Sequence, residues 1–170
     1  SYLHRDSNDH TRLDLFLEDS NTTKSRALTF GEDAFYPKFG PNKDMYYLRR
    51  PSKGTSFELI HQTEMGDSII NSVQDINISM LSKKQKRTLK KYNSHKKVLF
   101  SKAIYQQYHE GKKFSQFNIY SLDVNKAGDV VISFYDGFNR QLAILTGENH
   151  EQILWLVINQ TDLRDPHWGP

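Results

Sequence analysis

The sequence predicts an α+β fold, in which a mainly antiparallel sheet of about six to eight strands packs against one long helix. Strand-like segments cluster before residue 83 and after residue 113, and an amphipathic helical pattern lies between the two clusters. The strand-like segments follow one another closely, which favours hairpins over the longer crossovers that parallel strands require. A chain of 170 residues is most simply a single domain, 1–170. Its polar ends, residues 1–11 and 161–170, are expected to fray.

Alternating apolar residues predict the strands of the first half of the chain. Leucine recurs at every second position within residues 12–18, which is the period of a half-buried strand. The further candidate strands in this half are residues 26–30, 45–50, 56–62 and 75–80. Residues 31–44 contain two Gly, two Pro and three aromatic residues, so this segment is predicted to be a loop with large apolar side chains.

The long helix is predicted over residues 83–110. Ser82 and Gln85 have the spacing of a capping box, in which the two side chains satisfy backbone N–H groups at the start of a helix. Gly111 is a suitable residue to end the helix, because glycine readily adopts the left-handed conformation found there.

At about 100° per residue, the predicted helix has one apolar side and one basic side. The apolar side consists of Gln85, Leu89, Tyr92, Leu99 and Ala103. After Val98, apolar residues also appear on the opposite side. Either the second half of the helix is more deeply buried, or the helix breaks near Asn93–Ser94 and a second helix begins.

The last part of the chain is predicted to return to sheet structure. Residues 117–124, 129–135 and 140–145 are candidate strands, and Asp136–Gly137 is the signal of a tight hairpin turn. Asn149 precedes an apolar run in the manner of a helix N-cap, so residues 150–159 are predicted to form a short buried helix. A strand over the same residues is the close alternative.

The basic charge of the chain is concentrated in residues 83–113. This segment contains eleven Lys or Arg residues and one acid, so it carries +10, while the whole chain carries +3 and its remainder therefore −7. Such a division of charge predicts an anionic partner. The residues predicted to bind it are Lys83, Lys84, Lys86, Arg87, Lys90, Lys91, Lys96 and Lys97.

Lysine outnumbers arginine seven to one among these eight residues. Lysine contacts phosphate as a point charge, whereas base reading commonly relies on bidentate arginine. The leading prediction is therefore non-catalytic binding of a polyanion, above all of nucleic-acid backbone. An anionic membrane surface or an acidic protein is an alternative partner for the same charges. A further alternative is that the basic helix face binds no partner, remains solvated and pairs with the acidic remainder of the chain.

Two other functions are compatible with the sequence. The first is a protein-interaction or regulatory domain excised from an exported or membrane-anchored protein, since residue 1 is Ser1 rather than methionine. The second is a small metal-independent nuclease, because His95, His109, Lys112 and Lys113 could supply a base, an acid and a cation beside one phosphate. Partly exposed helix histidines without a catalytic role are the commoner interpretation.

No motif in the sequence indicates a thiol, metal or phosphate-loop site. The chain has no cysteine, its histidines lack the spacing of a metal site, and no glycine-rich phosphate loop is present. Accordingly, no cofactor, metal or catalytic residue is predicted. The longest apolar run, residues 153–158, is far shorter than the ~20 residues that span a bilayer, so no integral membrane segment is expected.

Three aromatic residues of the predicted loop, Phe35, Tyr36 and Phe39, are candidates for a binding lip. Exposed aromatic side chains are common anchors at binding surfaces. The alternative is that they fold back over the core as a lid.

Overall fold

The computed structural model describes residues 2–5, 11–18, 25–51, 54–63, 81–156 and 166–169. These residues form two four-stranded antiparallel sheets, two two-stranded ladders and two short helices. The α+β class and the antiparallel pairing are confirmed, but there are more strands than expected and neither helix is long. The predicted strand over residues 75–80 lies outside the described residues. That residues 1–170 form a single domain stays a prediction.

Two short antiparallel ladders form the N-terminal part of the described structure. Their strands are β1 (Tyr2–Arg5), β2 (Thr11–Asp14), β3 (Phe16–Glu18) and β4 (Ser25–Ala27). The buried side chain of Asp14 accepts hydrogen bonds from Thr29 Oγ1 and from the backbone N–H of Gly31, each 2.7 Å long. Because a buried carboxylate requires such donors, Asp14 fixes the path of the chain that leads from β4 into the next strand.

The first four-stranded sheet has the strand order β5-β6-β7-β8. Its strands are β5 (Ala34–Phe39), β6 (Met45–Arg49), β7 (Glu58–Gln62) and β8 (Lys96–Phe100). The loop predicted for residues 31–44 therefore contains a strand, and the prediction was wrong there. Strand β5 tolerates Pro37 because it lies at the sheet edge and its pairing with β6 shifts between Phe35 and Lys38.

The region predicted as one helix over residues 83–110 forms two helices with a strand between them. The helices are α1 (Lys83–Ser94) and α2 (Lys102–Tyr108), and strand β8 separates them. The single long helix was wrong because β8 pairs with β7, so its backbone bonds run across a sheet. The alternative of a break near Asn93–Ser94 matches the observed end of α1, and the capping box of Ser82 and Gln85 is present.

The predicted apolar side of the helix is correct only within α1. Leu89 and Tyr92 are buried there, as expected. Leu99 is also buried, but it belongs to strand β8, and Ala103 in α2 is exposed. Gly111 follows α2 with a φ of 75°, in the left-handed region that glycine adopts without strain.

The second four-stranded sheet has the strand order β12-β11-β10-β9. Its strands are β9 (Asn118–Val124), β10 (Val130–Tyr135), β11 (Arg140–Thr146) and β12 (Gln152–Leu156). The predicted turn at Asp136–Gly137 is confirmed. Oδ1 of Asp136 accepts hydrogen bonds from the backbone N–H groups of Phe138 and Asn139, each 2.8 Å long.

The short helix predicted over residues 150–159 is wrong, and the alternative of a strand is right. Ile153 and Trp155 in β12 are half-buried, whereas their neighbours along the strand are exposed. This alternation has the period of a strand, and it lets both side chains pack against the core between the two large sheets.

The sheet formed by β5 to β8 has a core on each face. In β6, Tyr46 and Leu48 belong to the core shared with the second sheet, whereas the intervening Tyr47 belongs to a core on the opposite face. Helix α1 lies on that opposite face, where the side chain of Gln62 donates a 3.2 Å hydrogen bond to the Tyr92 carbonyl. The sheet therefore separates α1 from the second sheet.

Candidate functional site

The anion-binding residues predicted within α1 lie on its exposed side. Leu89 and Tyr92 hold the other side against the protein, and the Tyr92 hydroxyl donates a 2.7 Å hydrogen bond to the Leu28 carbonyl. The exposed basic side chains are Lys83, Lys84, Lys86, Arg87, Lys90 and Lys91. Because the helix contains no acid, every charged group that α1 presents to solvent is a cation.

Lys96 and Lys97 are not part of this surface, because they belong to strand β8 and point to opposite faces of the sheet. The Lys96 amine forms an ion pair with Glu32, and it lies 5.3 Å from the centre of the Tyr92 ring. Burial lowers the pKa of Lys96, although the attraction of Glu32 opposes that shift. Lys97 is exposed, and its Nζ donates a 2.8 Å hydrogen bond to the Asn149 carbonyl.

Beneath α1, Lys96 is part of a buried network of charged groups. Glu32 also accepts a 2.8 Å hydrogen bond from the Tyr47 hydroxyl. Arg49 lies 3.9 Å from Glu32 and pairs with Glu58 at 2.7 Å. Burial and the neighbouring Glu32 both raise the pKa of Tyr47, so this hydroxyl is a permanent donor. The network compensates the charge of Lys96 within the protein and leaves it unable to serve an external anion.

The three residues of the predicted aromatic lip occupy different environments on strand β5. Tyr36 and Phe39 are 58% and 50% exposed. Phe35 instead packs edge-on against Phe57 with ring centroids 5.3 Å apart, and the Arg50 guanidinium lies over both rings. Phe35 thus folds back over the protein, as the alternative of a lid expected. Tyr36 and Phe39 remain exposed and are the two candidates left for a binding lip.

The histidines of the nuclease hypothesis lie at the ends of two different helices. His95 is the C-cap of α1 and His109 is the C-cap of α2. The His109 ring packs against Tyr105, Phe114 and Trp155, with centroid distances of 4.2, 6.0 and 5.6 Å. Lys112 and Lys113 are exposed beyond α2. This aromatic enclosure is the setting of a packed histidine rather than of an accessible one.

A second candidate site, which the sequence analysis did not predict, is a cleft of about 430 Å³ between the two large sheets. Its walls come from the turns over residues 41–44, 127–129 and 147–150, and from one face of β6 and β7. Four of its side chains form a connected cluster: Asp44, Tyr46, His61 and His150. The cleft lies on the face of the sheet opposite to α1.

Asp44 and His61 form the centre of this cluster. Nε2 of His61 lies 2.6 Å from Oδ2 of Asp44, and the Tyr46 hydroxyl donates to the same oxygen at 3.1 Å. Burial lowers the pKa of His61, while the hydrogen bond to Asp44 opposes that shift. A neutral imidazole that donates from Nε2 carries its lone pair on Nδ1. Among the described residues, no group is hydrogen-bonded to Nδ1 of His61.

His150 reaches the cluster from the turn between β11 and β12. Its Nε2 lies 2.9 Å from the Gly128 carbonyl oxygen, which can only accept, so Nε2 carries a proton. The same nitrogen lies 3.3 Å from the Tyr46 oxygen, whose own proton is directed to Asp44. The centroids of the His61 and His150 rings are 5.3 Å apart, with their planes at 69°. The cleft therefore contains two imidazoles whose Nε2 atoms are both engaged.

Two turns hold these groups in place. Gly40 donates a 3.0 Å backbone hydrogen bond to the Asp44 carbonyl, and a Cβ at Gly40 would collide with the Asp44 carboxylate. Across the cleft, Asp129 accepts hydrogen bonds from Thr146 and from Asn125, which lower the pKa of Asp129. Both turns are thus closed by their own polar contacts.

Part of the cleft could be found from the sequence, because the hairpin of β6 and β7 was predicted. Its register places Tyr46 directly opposite His61, and Asp44 is two residues before Tyr46 on the same face. His150 has no such local signal, since it is 104 positions from Tyr46 and comes from a turn. Only the packing of the two sheets brings it into the cluster.

Comparisons of this chain with known protein families, with curated proteins and with solved structures found no match. Within the described ranges, no group of three or more His, Asp or Glu side chains is arranged to hold a metal ion. Neither α1 nor α2 is long and apolar enough to cross a membrane. A function is therefore argued from the chemistry of the basic surface of α1 and of the cleft.

Proposed function

We propose that the protein binds a polyanion, above all nucleic-acid backbone, on the exposed side of α1. The observation that carries this proposal is the complete division of the helix into a buried apolar side and an exposed cationic side. Because Leu89 and Tyr92 anchor the helix, the backbone positions of its six exposed cations are fixed without a ligand. Such an arrangement lowers the ordering cost of binding.

The spacing of the cations suits a chain of phosphates. Lys83, Arg87 and Lys90 lie on one side of α1, separated by about 6 Å and about 4.5 Å along the helix axis at the standard rise. Like charges at these separations repel one another in the free protein, and an anion along the helix removes that repulsion. A run of phosphates also releases its condensed counterions on binding, which favours the complex further.

Four of the six exposed cations of α1 are not neutralised by acidic residues that the structure describes. Lys83, Lys84, Arg87 and Lys90 form no ion pair with a described residue. Glu32, which belongs to the network beneath α1, pairs with Lys96 inside the protein. These observations favour an external anion over the interpretation of a solvated, self-paired face.

The test is fluorescence anisotropy with a labelled single-stranded oligonucleotide and a labelled duplex at low salt. The double variant Lys83→Glu/Lys90→Glu should lose binding. The matched control is Lys112→Glu/Lys113→Glu, which makes the same change in net charge at two exposed lysines away from α1. Binding by wild type and control but not by the α1 variant supports the proposal. Equal losses in both variants, or no binding by wild type at ~50 mM salt, a level where backbone contacts are strong, would contradict it.

An acidic protein or an anionic membrane surface is the alternative partner for the same charges. Vesicles that contain phosphatidylserine, and a polyglutamate peptide, therefore serve as competitors in the assay. If the vesicles or the peptide displace the oligonucleotide at a lower concentration of negative charge than unlabelled nucleic acid does, the surface of α1 binds a membrane or an acidic protein instead. The alternative of a protein-interaction or regulatory domain would gain support from that result.

A further inference from the structure

We propose that the cleft between the two sheets is an acid–base site that cleaves RNA without a metal ion, with His61 as the base and His150 as the acid. This site is separate from the basic surface of α1, which lies on the opposite face of the sheet. The activity proposed for the cleft differs from the non-catalytic polyanion binding that the sequence predicts. The site also differs from the histidine pair of the nuclease hypothesis, because His95 and His109 are not part of the cleft.

His61 has the arrangement of a general base. Asp44 accepts the Nε2 proton of His61 at 2.6 Å, which fixes the tautomer and leaves Nδ1 as the proton acceptor. The stacked Tyr46 ring, 4.3 Å away and inclined by only 5°, holds the orientation of the imidazole. A histidine that is oriented by a carboxylate is the usual form of such a base. The lowered pKa of His61 keeps it unprotonated near neutral pH.

His150 is placed to act as the acid. Its Nε2–H donates to the Gly128 carbonyl, so the proton that it can exchange with a ligand is on Nδ1. The ring centroids of His150 and His61 are 5.3 Å apart and the two rings are inclined, so the imidazoles do not stack on each other. At this centroid separation, both imidazoles are close enough to contact one substrate phosphate group.

Lys97 does not line the cleft itself, but it supplies a positive charge beside it. It is directly opposite His61 in the pairing of β7 with β8, and its amine is held at 2.8 Å from the Asn149 carbonyl, next to His150. The charge of Lys97 acts on His61 and lowers its pKa in addition to burial. An ammonium group beside a phosphate stabilises the charge that develops on its oxygens during the reaction.

The lining of the cleft indicates which substrate suits these groups. The lining includes the carboxylates of Asp44, Asp129 and Glu148 and the Tyr46 hydroxyl, whose proton is directed to Asp44. No serine, threonine or cysteine lines the described cleft, so it offers a base and an acid but no hydroxyl or thiol nucleophile other than this engaged tyrosine. A substrate that carries its own hydroxyl beside the reacting phosphate needs only these two groups and a cation. RNA has this property through its 2′-hydroxyl, and DNA lacks it. The volume of about 430 Å³ is within the range of clefts that hold small ligands.

The reaction is a transfer of the phosphoryl group within the substrate. Nδ1 of His61 takes the proton of the 2′-hydroxyl, the 2′ oxygen forms a bond to phosphorus, and the bond from phosphorus to the 5′ oxygen breaks. Protonated His150 gives its Nδ1 proton to the leaving 5′ oxygen. The products are a 2′,3′-cyclic phosphate and a 5′-hydroxyl, and no electron donor or acceptor is involved.

The experiment measures cleavage of the dinucleotide uridylyl-(3′,5′)-adenosine and of a labelled RNA strand in the presence of EDTA. The variants His61→Gln and His150→Gln keep an amide N–H that can replace Nε2–H, but they lack the second nitrogen. Each should reduce the rate by at least about 100-fold, the lower limit typical of acid–base catalysis. Lys97→Ala, an exposed change that does not threaten folding, should reduce it by at least tenfold. The matched control is His167→Ala, at an exposed histidine outside the cleft.

The outcomes are distinct from those for the surface of α1. The dinucleotide is too short to depend on that surface, so Lys83→Glu/Lys90→Glu should cleave it at the wild-type rate. Products ending in a cyclic phosphate, made from RNA but not from DNA or 2′-O-methyl RNA, support the proposal. It is overturned if folded wild type cleaves neither RNA substrate, if DNA is cleaved equally, or if cleavage persists in both folded glutamine variants and in Lys97→Ala.

Discussion

The Tyr46 ring stacks on the His61 ring, with centroids 4.3 Å apart and planes 5° apart, and both side chains are hydrogen-bonded to the same oxygen of Asp44. The two residues are directly opposite each other in the pairing of β6 with β7. Such a contact lets each ring restrict the other while the carboxylate fixes both polar ends. Burial, assisted by Asp44, raises the pKa of Tyr46, which therefore keeps its proton and remains a donor.

Replacing Tyr46 by phenylalanine should destabilise the protein by about 1–3 kcal/mol, the range for removing one partner of a buried hydrogen bond. The ring contact with His61 remains, so the change removes only the contacts of the hydroxyl with Asp44 and His150. Chemical denaturation measures the free energy of unfolding. Tyr36→Phe is the control, because the Tyr36 side chain is exposed, and it should change stability by no more than about 0.5 kcal/mol. Equal effects of the two changes would show that the Tyr46 hydroxyl is not held as described.

The buried position of His61 predicts a loss of stability as the pH falls below about 6.5, the ordinary pKa of histidine. Burial lowers the pKa of His61 in the folded protein, whereas the unfolded chain has the ordinary value. Between the two values the unfolded state binds more protons, so the free energy of unfolding decreases as the pH falls through this window. The lowered pKa of Asp129 acts in a separate window, below its ordinary value of 3.8.

Denaturation curves between about pH 8 and about pH 5 measure this loss. His61→Gln should remove part of the dependence on pH, since glutamine does not titrate, whereas His167→Ala should leave it unchanged. The groups that face His61 are Asp44 and Tyr46 from the β6 side, His150 from the opposite turn and Lys97 from β8. A dependence on pH that is the same in His61→Gln and in wild type would contradict the lowered pKa.

Leu89 and Leu99 should both be important for stability, although only Leu89 is in a helix. They are 8% and 5% exposed, so replacement of either by alanine should cost about 2–5 kcal/mol, the range for buried leucine. Lys90→Ala, on the exposed side of α1, should cost less than about 0.5 kcal/mol. Denaturant unfolding of the three variants provides the measurement. Small and equal losses of unfolding free energy in all three variants would show that the Leu89 side of α1 and the Leu99 side of β8 are not buried.

These two leucines also show how far the sequence predicts the fold. In α1 the two apolar residues, Leu89 and Tyr92, are three positions apart among cations that lie on the other side of the helix, and this local pattern identifies the buried side. Residues 96–100 are only five, and so short a mixture of basic and apolar residues fits a helix and a strand equally. Their pairing with β7 comes from residues far away in sequence, which no local pattern reveals. Proline and glycine in residues 31–44 concealed β5 for a related reason, since an irregular edge strand tolerates both.

The surface of α1 and the cleft also differ in how far the sequence predicts them. Six of the predicted anion-binding residues are exposed on α1 as expected, because charge and helical period are local properties that the sequence carries. That they bind an anion stays a prediction. Lys96 was assigned to the anion-binding set although it is paired with Glu32 inside the protein, a contact between residues 64 positions apart. The cleft depends on the contact of two sheets, and its His150 could not be placed by sequence reasoning.

The ion pair of Lys96 with Glu32 should stabilise the folded protein, because each group compensates the buried charge of the other. Lys96→Ala leaves Glu32 without its closest cation, and removal of one partner from a buried pair typically costs about 3–5 kcal/mol. The double change Lys96→Met/Glu32→Gln removes both charges and should cost less than Lys96→Ala alone. Thermal and denaturant unfolding of both variants, with Lys90→Ala as the exposed control, measures the difference. If Lys96→Ala were as mild as Lys90→Ala, the amine would not be buried against Glu32.

The last prediction concerns the salt dependence of polyanion binding. If α1 contacts phosphates through its cations, log affinity should fall linearly with log salt concentration, by about 0.7 per phosphate contacted on a single strand and about 0.9 on a duplex. Each of Lys83→Ala, Arg87→Ala and Lys90→Ala should then reduce the slope by about one such unit, because each removes one contact. Lys112→Ala, at an exposed lysine beyond α2, should leave the slope unchanged. Anisotropy titrations at four or more salt concentrations give the slopes. A slope near zero in wild type, or equal reductions in the α1 variants and in Lys112→Ala, would show that the cations of α1 are not the contact surface.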